Sequence, residues 1–190
     1  SRSYTAAEAT AAANEIEQLT TEYQDVKARI RKSSPRYAEL TQPQPLDLRG
    51  IQKQLDPNTL LLEYSLGNIQ SFLWLVSANE VKTYELPKRK EIEELCSRYS
   101  DLVIGTTDAQ NSELTEIGSR LSQMLLGPVA AMLGQKRLVI VADGALQYLP
   151  FAALPDPGLL AQTNVSALIL RHEIVNLPSI SVLASLRSAT

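Results

Sequence analysis

The sequence RLVIVADGALQYLPFAAL, which runs from Arg137 to Leu154, contains the most ordered pattern in the chain. Its first part, Leu138 to Val141, is an unbroken apolar and partly β-branched run that is closed by Asp143-Gly144. Such a run predicts a strand that is buried on both faces and ends in a turn. We therefore expect a central parallel strand here, with the rest of the chain forming layers around it.

The residues after this strand predict a turn that returns to the core. Gly144 can adopt a positive φ, and Leu146 brings an apolar side chain back toward the sheet. Pro150 has a fixed φ and can open a helical turn, which carries the apolar residues Phe151 and Leu154.

The composition indicates one globular domain with a helical lead-in. The chain has 190 residues, of which 44% are hydrophobic and 21% charged, values that are typical of folded domains. Its net charge is -3, with 18 basic residues scattered among 21 acidic ones. Because the sequence has no basic stripe, we expect no nucleic-acid partner.

The same composition argues against a membrane and against disulfides. No apolar run reaches the ~18 residues of a membrane span, so we expect no membrane contact. A single cysteine excludes an internal disulfide and suits a reducing compartment, so a cytoplasmic location is expected.

The segment from Tyr4 to Lys32 contains neither glycine nor proline, and its apolar residues are spaced alternately three and four apart. They are Ala9, Ala12, Ile16, Leu19, Tyr23, Val26 and Ile30. This spacing predicts a helix with one apolar seam. The seam is interpreted either as a coiled coil or partner-binding surface that joins upstream repeats, or as a face packed on the chain's own domain.

We divide the chain into three parts. Residues 1–33 form the amphipathic lead-in helix, residues 34–58 a proline-rich linker with a short helix, and residues 59–190 an α/β domain. Within that domain, Leu60 to Leu66, Ser71 to Ala78 and Val81 to Leu86 predict three strands in an antiparallel meander. The middle strand is expected to be buried on both sides, with Trp74 a core residue rather than a platform for a ligand.

The remaining elements are expected to alternate between helix and strand. The segments are helices at Lys88 to Tyr99, Ser112 to Leu126 and Pro128 to Leu133, then the central strand, a further strand at Ala167 to Leu177, and a last helix after Pro178-Ser179 that buries Val182, Leu183 and Leu186. This order predicts an α/β fold, a mixed sheet with helices on both faces.

Several stretches of the chain together resemble the CHAT domain, a caspase-like peptidase domain usually found behind tetratricopeptide repeats. The resemblance covers residues from about Ser34 to the end of the chain. The stretches are LLLEYSLGNIQSFLWLVS at Leu60 to Ser77, Leu86-Pro87, LSQMLLGPV at Leu121 to Val129, VADGALQYLPFAALP at Val141 to Pro155, and HEIVNLPSISVLASLR at His172 to Arg187.

The resemblance implies a parent protein that is a cysteine endopeptidase of the caspase, gingipain and separase type. In that family the catalytic His lies in a His-Gly pair and the Cys in an Ala-Cys step, and this sequence contains neither. The resemblance therefore implies the N-terminal, non-catalytic half of such a domain. The alternative is a catalytically dead interaction module that binds through its helix seam or sheet edge.

The implied partners are proteins. On the first interpretation they are the missing C-terminal half of the domain, upstream tetratricopeptide repeats, and a protein or peptide ligand. An exposed edge strand also favours a homodimer.

Cys96 and His172 are the only candidates for a catalytic Cys-His pair. Cys96 lies on the apolar seam of a predicted helix, and His172 lies inside a predicted strand, partly exposed. The family places its His before its Cys, and both at strand ends. We therefore predict no catalytic residue in this chain.

Asp143 and Gly144 follow the central strand, at the sheet edge where α/β proteins bind ligands. On one interpretation the Asp143 carboxylate faces a substrate or the missing half of the domain. On the other, which we favour, Asp143 is a turn residue whose side chain bonds the backbone of the next residues. Together with Leu149, Pro150 and Phe151, these residues are structural family-motif positions and candidates for a groove. No metal or cofactor is expected, because one His and one Cys cannot build a zinc site.

Overall fold

The computed structural model describes residues 6–34, 37, 45–105, 111–159 and 166–188. The chain divides into two compact units, one made of residues 1–45 and 184–190 and the other of residues 46–183. Parts of the expected linker, residues 35–36 and 38–44, lie outside the described residues.

The described residues form six α-helices and five strands. The helices are α1 (Ala6–Ser33), α2 (Leu48–Gln52), α3 (Arg89–Ile104), α4 (Asn111–Leu125), α5 (Ala130–Leu133) and α6 (Ile180–Ser188). The strands are β1 (Thr59–Ser65), β2 (Ser71–Val76), β3 (Val81–Leu86), β4 (Arg137–Val141) and β5 (Ile174–Leu177).

The five strands form one mixed sheet in the order β3-β2-β1-β4-β5. β1 and β2 are antiparallel, as are β2 and β3, which confirms the meander. β4 pairs in parallel with β1 on one side and with β5 on the other. Because Leu138 to Val141 are all buried, the prediction of a central parallel strand is confirmed.

The larger core lies on one face of the sheet, under α3 and α4. Alternate residues of the two central strands point into it, as the twofold repeat of a strand requires. They are Leu60 and Leu62 from β1 and Leu138 and Ile140 from β4. The helices contribute buried residues at helical spacing, namely Ile92, Cys96, Tyr99 and Leu102 from α3 and Ile117, Leu121 and Leu125 from α4.

A smaller core lies on the other face. Leu61, Val76 and Val139 pack there with Leu55 and with Ile180 of α6. Helices therefore contact both faces of the sheet, which agrees with the expected fold class.

Phe72 and Trp74 also belong to this second face but are only half-buried. Their rings stack with centroids 5.9 Å apart. The prediction that β2 is buried on both sides is therefore wrong at these two positions, and Trp74 is not a core residue. The helices contribute Ile51, Ile180 and Leu183 to the smaller core. These residues pack with apolar side chains of β1, β4 and β5 and, from β2, with Val76.

The strand expected at Ala167 to Leu177 is much shorter in the structure. Leu168–Leu170 forms a 3₁₀ turn, and the strand begins only at Ile174. The backbone amide of His172 donates to the Leu168 carbonyl at 3.1 Å, which closes this turn. Leu168 is buried while Ile169 and Leu170 are exposed, so the apolar pattern belongs to a turn with one anchoring leucine.

Two further helices were anticipated and are present. α6 follows Pro178-Ser179 as expected, with Val182 and Leu183 half-buried. Leu186 was expected to be buried, but 48% of its surface is exposed. α1 confirms the long lead-in helix, and none of the helices in the described residues is long and apolar enough to span a membrane.

Candidate functional site

Asp143 lies just after the carboxyl end of β4, beside the end of its parallel neighbour β1. Its Oδ2 accepts a hydrogen bond from the backbone amide of Leu66, 2.8 Å away. The expectation that this carboxylate bonds the backbone of the residues that follow it is therefore wrong, because it makes no such capping bond. The carboxylate instead joins the ends of two strands that are far apart in sequence.

Arg89, the first residue of α3, completes this contact. Its Nη2 donates to the Leu66 carbonyl at 2.5 Å and lies 3.5 Å from Asp143 Oδ2. Its Nη1 lies 3.5 Å from Glu93 Oε1. The Arg89 and Asp143 side chains are both partly exposed, so the ion pair itself adds little stability. The cluster fixes the start of α3 against the carboxyl ends of β1 and β4.

Gly144 is required by its backbone conformation, and its neighbours pack closely around it. Its φ is 54°, in the left-handed region, as the sequence predicts. A Cβ at this position would lie 3.1 Å from Glu93 Oε1 and 3.3 Å from Arg89 Nη1. The hydrogen bond of Asp143 and the positive φ of Gly144 thus explain the Asp-Gly pair without any ligand.

The Leu149-Pro150-Phe151 segment anchors the turn to the core. Leu149 and Phe151 are buried, whereas Pro150 and Tyr148 are exposed. The Phe151 ring lies 5.6 Å from the Tyr64 ring. The helical turn expected after Pro150 is present at Phe151–Ala153, so two of the candidate groove residues direct their side chains into the core.

A cavity of about 270 Å³ opens at the carboxyl ends of β4 and β5. Apolar residues such as Ala142 and Leu177 line it together with the polar side chains of Gln147 and Asn176. The carboxyl ends of parallel strands are where open α/β sheets bind ligands. Sequence reasoning did not single out Gln147 or Asn176, although Gln147 lies in the turn after β4 and Asn176 lies within β5.

Cys96 is a buried, unpaired thiol on α3. Burial, and after it the negative charge of Glu93, raises the pKa of Cys96 to about 11. The side chain is therefore a neutral thiol at physiological pH rather than the thiolate that acts as a nucleophile.

His172 is buried and precedes β5, which corrects the expectation of a partly exposed histidine within a strand. Its Nδ1 lies 2.8 Å from the Lys136 carbonyl oxygen, at the amino end of β4. Its Nε2 lies 3.8 Å from Asp156 Oδ2 and has no hydrogen-bond partner within the described residues.

The Asp156 carboxylate is buried beside His172 and has further contacts. Its Oδ1 accepts a hydrogen bond from the Gly158 amide at 2.8 Å, and its Oδ2 lies 3.3 Å from Arg171 Nη1. This polar cluster lies at the amino end of β4, whereas Asp143 lies at the carboxyl end. His172 is thus positioned by a structural cluster, and its contacts do not include Cys96.

Comparison with protein families finds a match in the C-terminal part of the chain. The family model of the CHAT domain matches residues 115–190, and none of the curated proteins matches the chain. The matched segment includes β4, the turn after it, β5 and α6, and three of the five stretches that carry the resemblance. The strands β1 to β3 lie before it. The C-terminal part of this chain, residues 115–190, is thus similar to the CHAT domain.

Proposed function

We propose that this chain is the N-terminal, non-catalytic part of a CHAT-domain protein whose whole resembles a caspase-like cysteine endopeptidase. The chain acts as a scaffold on which the part with the catalytic His and Cys assembles. The observation that supports this proposal best is that β5, a strand at the edge of the sheet, has apolar side chains on both faces.

β5 pairs with β4 along one side, and in the part of the chain that the structure describes no strand pairs with its other side. Ile174 packs against the larger core, and Val175 and Leu177 pack against the smaller one. An edge strand with apolar side chains on both faces is a template for another strand. A strand added beside β5 would extend both cores.

The two side chains that could form a catalytic pair are used in other ways. Cys96 is a buried neutral thiol, and His172 is held at the amino end of β4 by Lys136. A Cys-His peptidase needs the thiol and the imidazole in contact. Both observations support a catalytic pair that comes from another part of the parent protein.

The cavity at the carboxyl ends of β4 and β5 gives the scaffold a second role. A strand added next to β5 would lie beside Asn176, which lines this cavity together with Gln147. We propose that these two side chains form part of the wall of the substrate groove, with a peptide as the ligand. The other proposed partners are upstream tetratricopeptide repeats, and the proposed location is the cytoplasm.

Peptide hydrolysis by the purified chain tests the non-catalytic role. We expect no thiol-dependent turnover of an unstructured protein substrate, and we expect Cys96→Ala to behave as the unsubstituted chain does. Alkylation of Cys96 should be slow at neutral pH and should rise steadily with pH up to about 11, because the thiolate fraction increases until the pH reaches the pKa of the thiol. Turnover that Cys96→Ala abolishes would contradict the proposal.

The second candidate function is an interaction module without any peptidase partner. The exposed apolar seam of α1 favours it, since Ile16 and Tyr23 expose 65% and 60% of their surfaces. The source transcript distinguishes the two functions. Downstream codons for a strand ending in His-Gly and another ending in Ala-Cys support the peptidase scaffold, and a stop codon after Thr190 supports the interaction module.

A further inference from the structure

α1 presents an apolar seam to solvent along most of its length. Ile16, Leu19, Tyr23 and Val26 expose between 50% and 65% of their surfaces, and Ile30 is half-buried. The spacing of three and four residues places these side chains on one face, at the core positions of a coiled coil. A seam of this length is a docking surface for another helix.

The charges on α1 are divided between its two halves. From Ala6 to Glu22 the helix carries four acids and no base, and from Tyr23 to Ser33 it carries four bases and one acid. The acids of the first half are Glu8, Glu15, Glu17 and Glu22, and the bases of the second are Lys27, Arg29, Arg31 and Lys32. Two parallel copies would align the acidic halves with each other and the basic halves with each other, with Glu22 beside Lys27 as the exception at the boundary. Two antiparallel copies place each acidic half beside a basic half.

We propose that α1 is a self-association surface, on which α1 of a second copy of this chain binds in antiparallel orientation. The charge complementarity of the two halves identifies the second copy as the occupant. The opposed helix dipoles favour the same orientation.

One register pairs the six seam residues from Ala12 to Ile30 with one another. When the centre of the pair lies at Thr21, Leu19 packs against Tyr23 of the second copy and Ile16 packs against Val26. In the same register the small Ala12 meets the larger Ile30. Each core layer then combines one side chain from either half of the helix, as antiparallel coiled coils require.

The flanking charges make this register testable. Glu15 lies beside Arg29 of the second copy, and twofold symmetry repeats that attractive pair. Glu22 meets Glu22 of the second copy at the symmetry axis, which is a repulsive contact. In a parallel pair Glu22 would instead lie beside Lys27 of the second copy, which is attractive. Neutralising Glu22 therefore has opposite effects in the two orientations.

The experiment is sedimentation equilibrium of the whole chain over a dilution series. We expect a monomer–dimer equilibrium that Glu22→Gln tightens by about twofold, since a like-charge contact of this kind is removed. Glu17→Gln is the matched control because it removes the same charge outside the seam, and it should leave the dimer unchanged or slightly weaker. Leu19→Asp should weaken the dimer by at least about tenfold, because it places a charge in the apolar seam.

A cross-link gives an independent readout of orientation. Glu22→Cys should form a symmetric disulfide under mild oxidation, because the two copies of residue 22 meet at the axis, whereas Glu17→Cys should not. Cys96 is buried and does not compete.

Three outcomes would overturn the proposal. The chain could remain monomeric at high concentration, Leu19→Asp could leave the dimer intact, or Glu22→Gln could weaken it, which would indicate a parallel pair. A dimer that Val175→Lys abolishes and Leu19→Asp does not would place the interface at β5. The results for the α1 variants do not bear on the peptidase scaffold, since α1 lies outside residues 46–183, whereas a dimer through β5 would occupy the edge on which that scaffold is proposed to assemble.

Discussion

The two edge strands of the sheet are built differently. β3 exposes Lys82, Thr83 and Glu85 to solvent, and the Lys82 ammonium lies 3.0 Å from the Glu80 carboxylate. β5 contains no charged residue, and its apolar residues Ile174, Val175 and Leu177 are half-buried.

This difference has a physical meaning. Charged side chains on an edge discourage pairing with another strand, because pairing would remove their charges from water. β3 therefore has the composition of a natural edge. β5 has the composition of an interior strand, which is why we propose that further strands of the CHAT domain pair with it.

The largest expected effect comes from a cavity in the larger core, where the turn after β4 packs against β1. Phe151 is fully buried in the turn after β4 and contacts the Tyr64 ring. Phe151→Ala should lower the free energy of unfolding by about 3–5 kcal/mol, because it leaves a cavity in the core. Urea titration measures this loss. Tyr148→Ala is the matched control, because 84% of the Tyr148 surface is exposed in the same segment. An equal loss of stability in the two variants would contradict the role of Phe151 as a core residue.

A smaller loss is expected when the ends of β1 and β4 are separated. Asp143→Ala removes the acceptor of the buried Leu66 amide and leaves that amide unpaired. We expect a cost of about 1–3 kcal/mol, measured by urea titration. Glu173→Ala serves as control, because the Glu173 side chain is 62% exposed where it pairs with Arg137. A cost for Asp143→Ala no larger than that of the control would show that the strand-joining contact contributes little.

Matched substitutions at the two edges sharpen the comparison directly. Val175→Ala removes apolar contact with the smaller core and should cost about 1 kcal/mol. Thr83→Ala, at an exposed position of β3, should stay within about 0.5 kcal/mol. Equal costs at the two positions would mean that β5 is as peripheral to the fold as β3.

The smallest effect concerns the face of the sheet that carries the smaller core, at the half-buried positions around Trp74. Glu63 lies opposite Trp74 in the sheet, and burial raises the pKa of this carboxyl group. Protonated Glu63 therefore adds stability below about pH 4.5, and that stability is lost as the pH rises through the raised folded pKa.

Glu63→Gln should accordingly stabilise the chain at pH 7 by less than about 1 kcal/mol, since the group is partly solvated. The gain should vanish in acid. Thermal unfolding at pH 7 and below about pH 4.5 measures this difference in stability. Glu85→Gln on the exposed strand β3 is the control. A gain that persists in acid would exclude the charge of Glu63 as its cause.

The strands β1 to β4 could be predicted from the sequence because their signals are local. Apolar runs and turn residues set the ends of each strand, and Gly144 is followed by the expected turn. Ala167 to Leu177 was predicted less well, because the alternating apolar pattern there does not distinguish a strand from a 3₁₀ turn.

The contacts of the candidate site depend on residues that are far apart in sequence. Asp143 accepts a hydrogen bond from the Leu66 amide, and His172 contacts the Lys136 carbonyl and lies near Asp156. Neither arrangement leaves a local pattern. The sequence could therefore identify Asp143-Gly144 as a notable position but not the strand that its carboxylate joins.

Hydrogen exchange at the two edges tests the central claim most directly. It compares the chain alone with the chain bound to the separately expressed part of the parent protein that we propose to carry the catalytic pair. We predict that the backbone amides of Ile174 to Leu177 become protected on binding while those of Val81 to Leu86 do not change, and that Val175→Lys removes this protection. Protection at β3, or no change at either edge, would contradict the assignment of β5 as the strand on which the rest of the domain assembles.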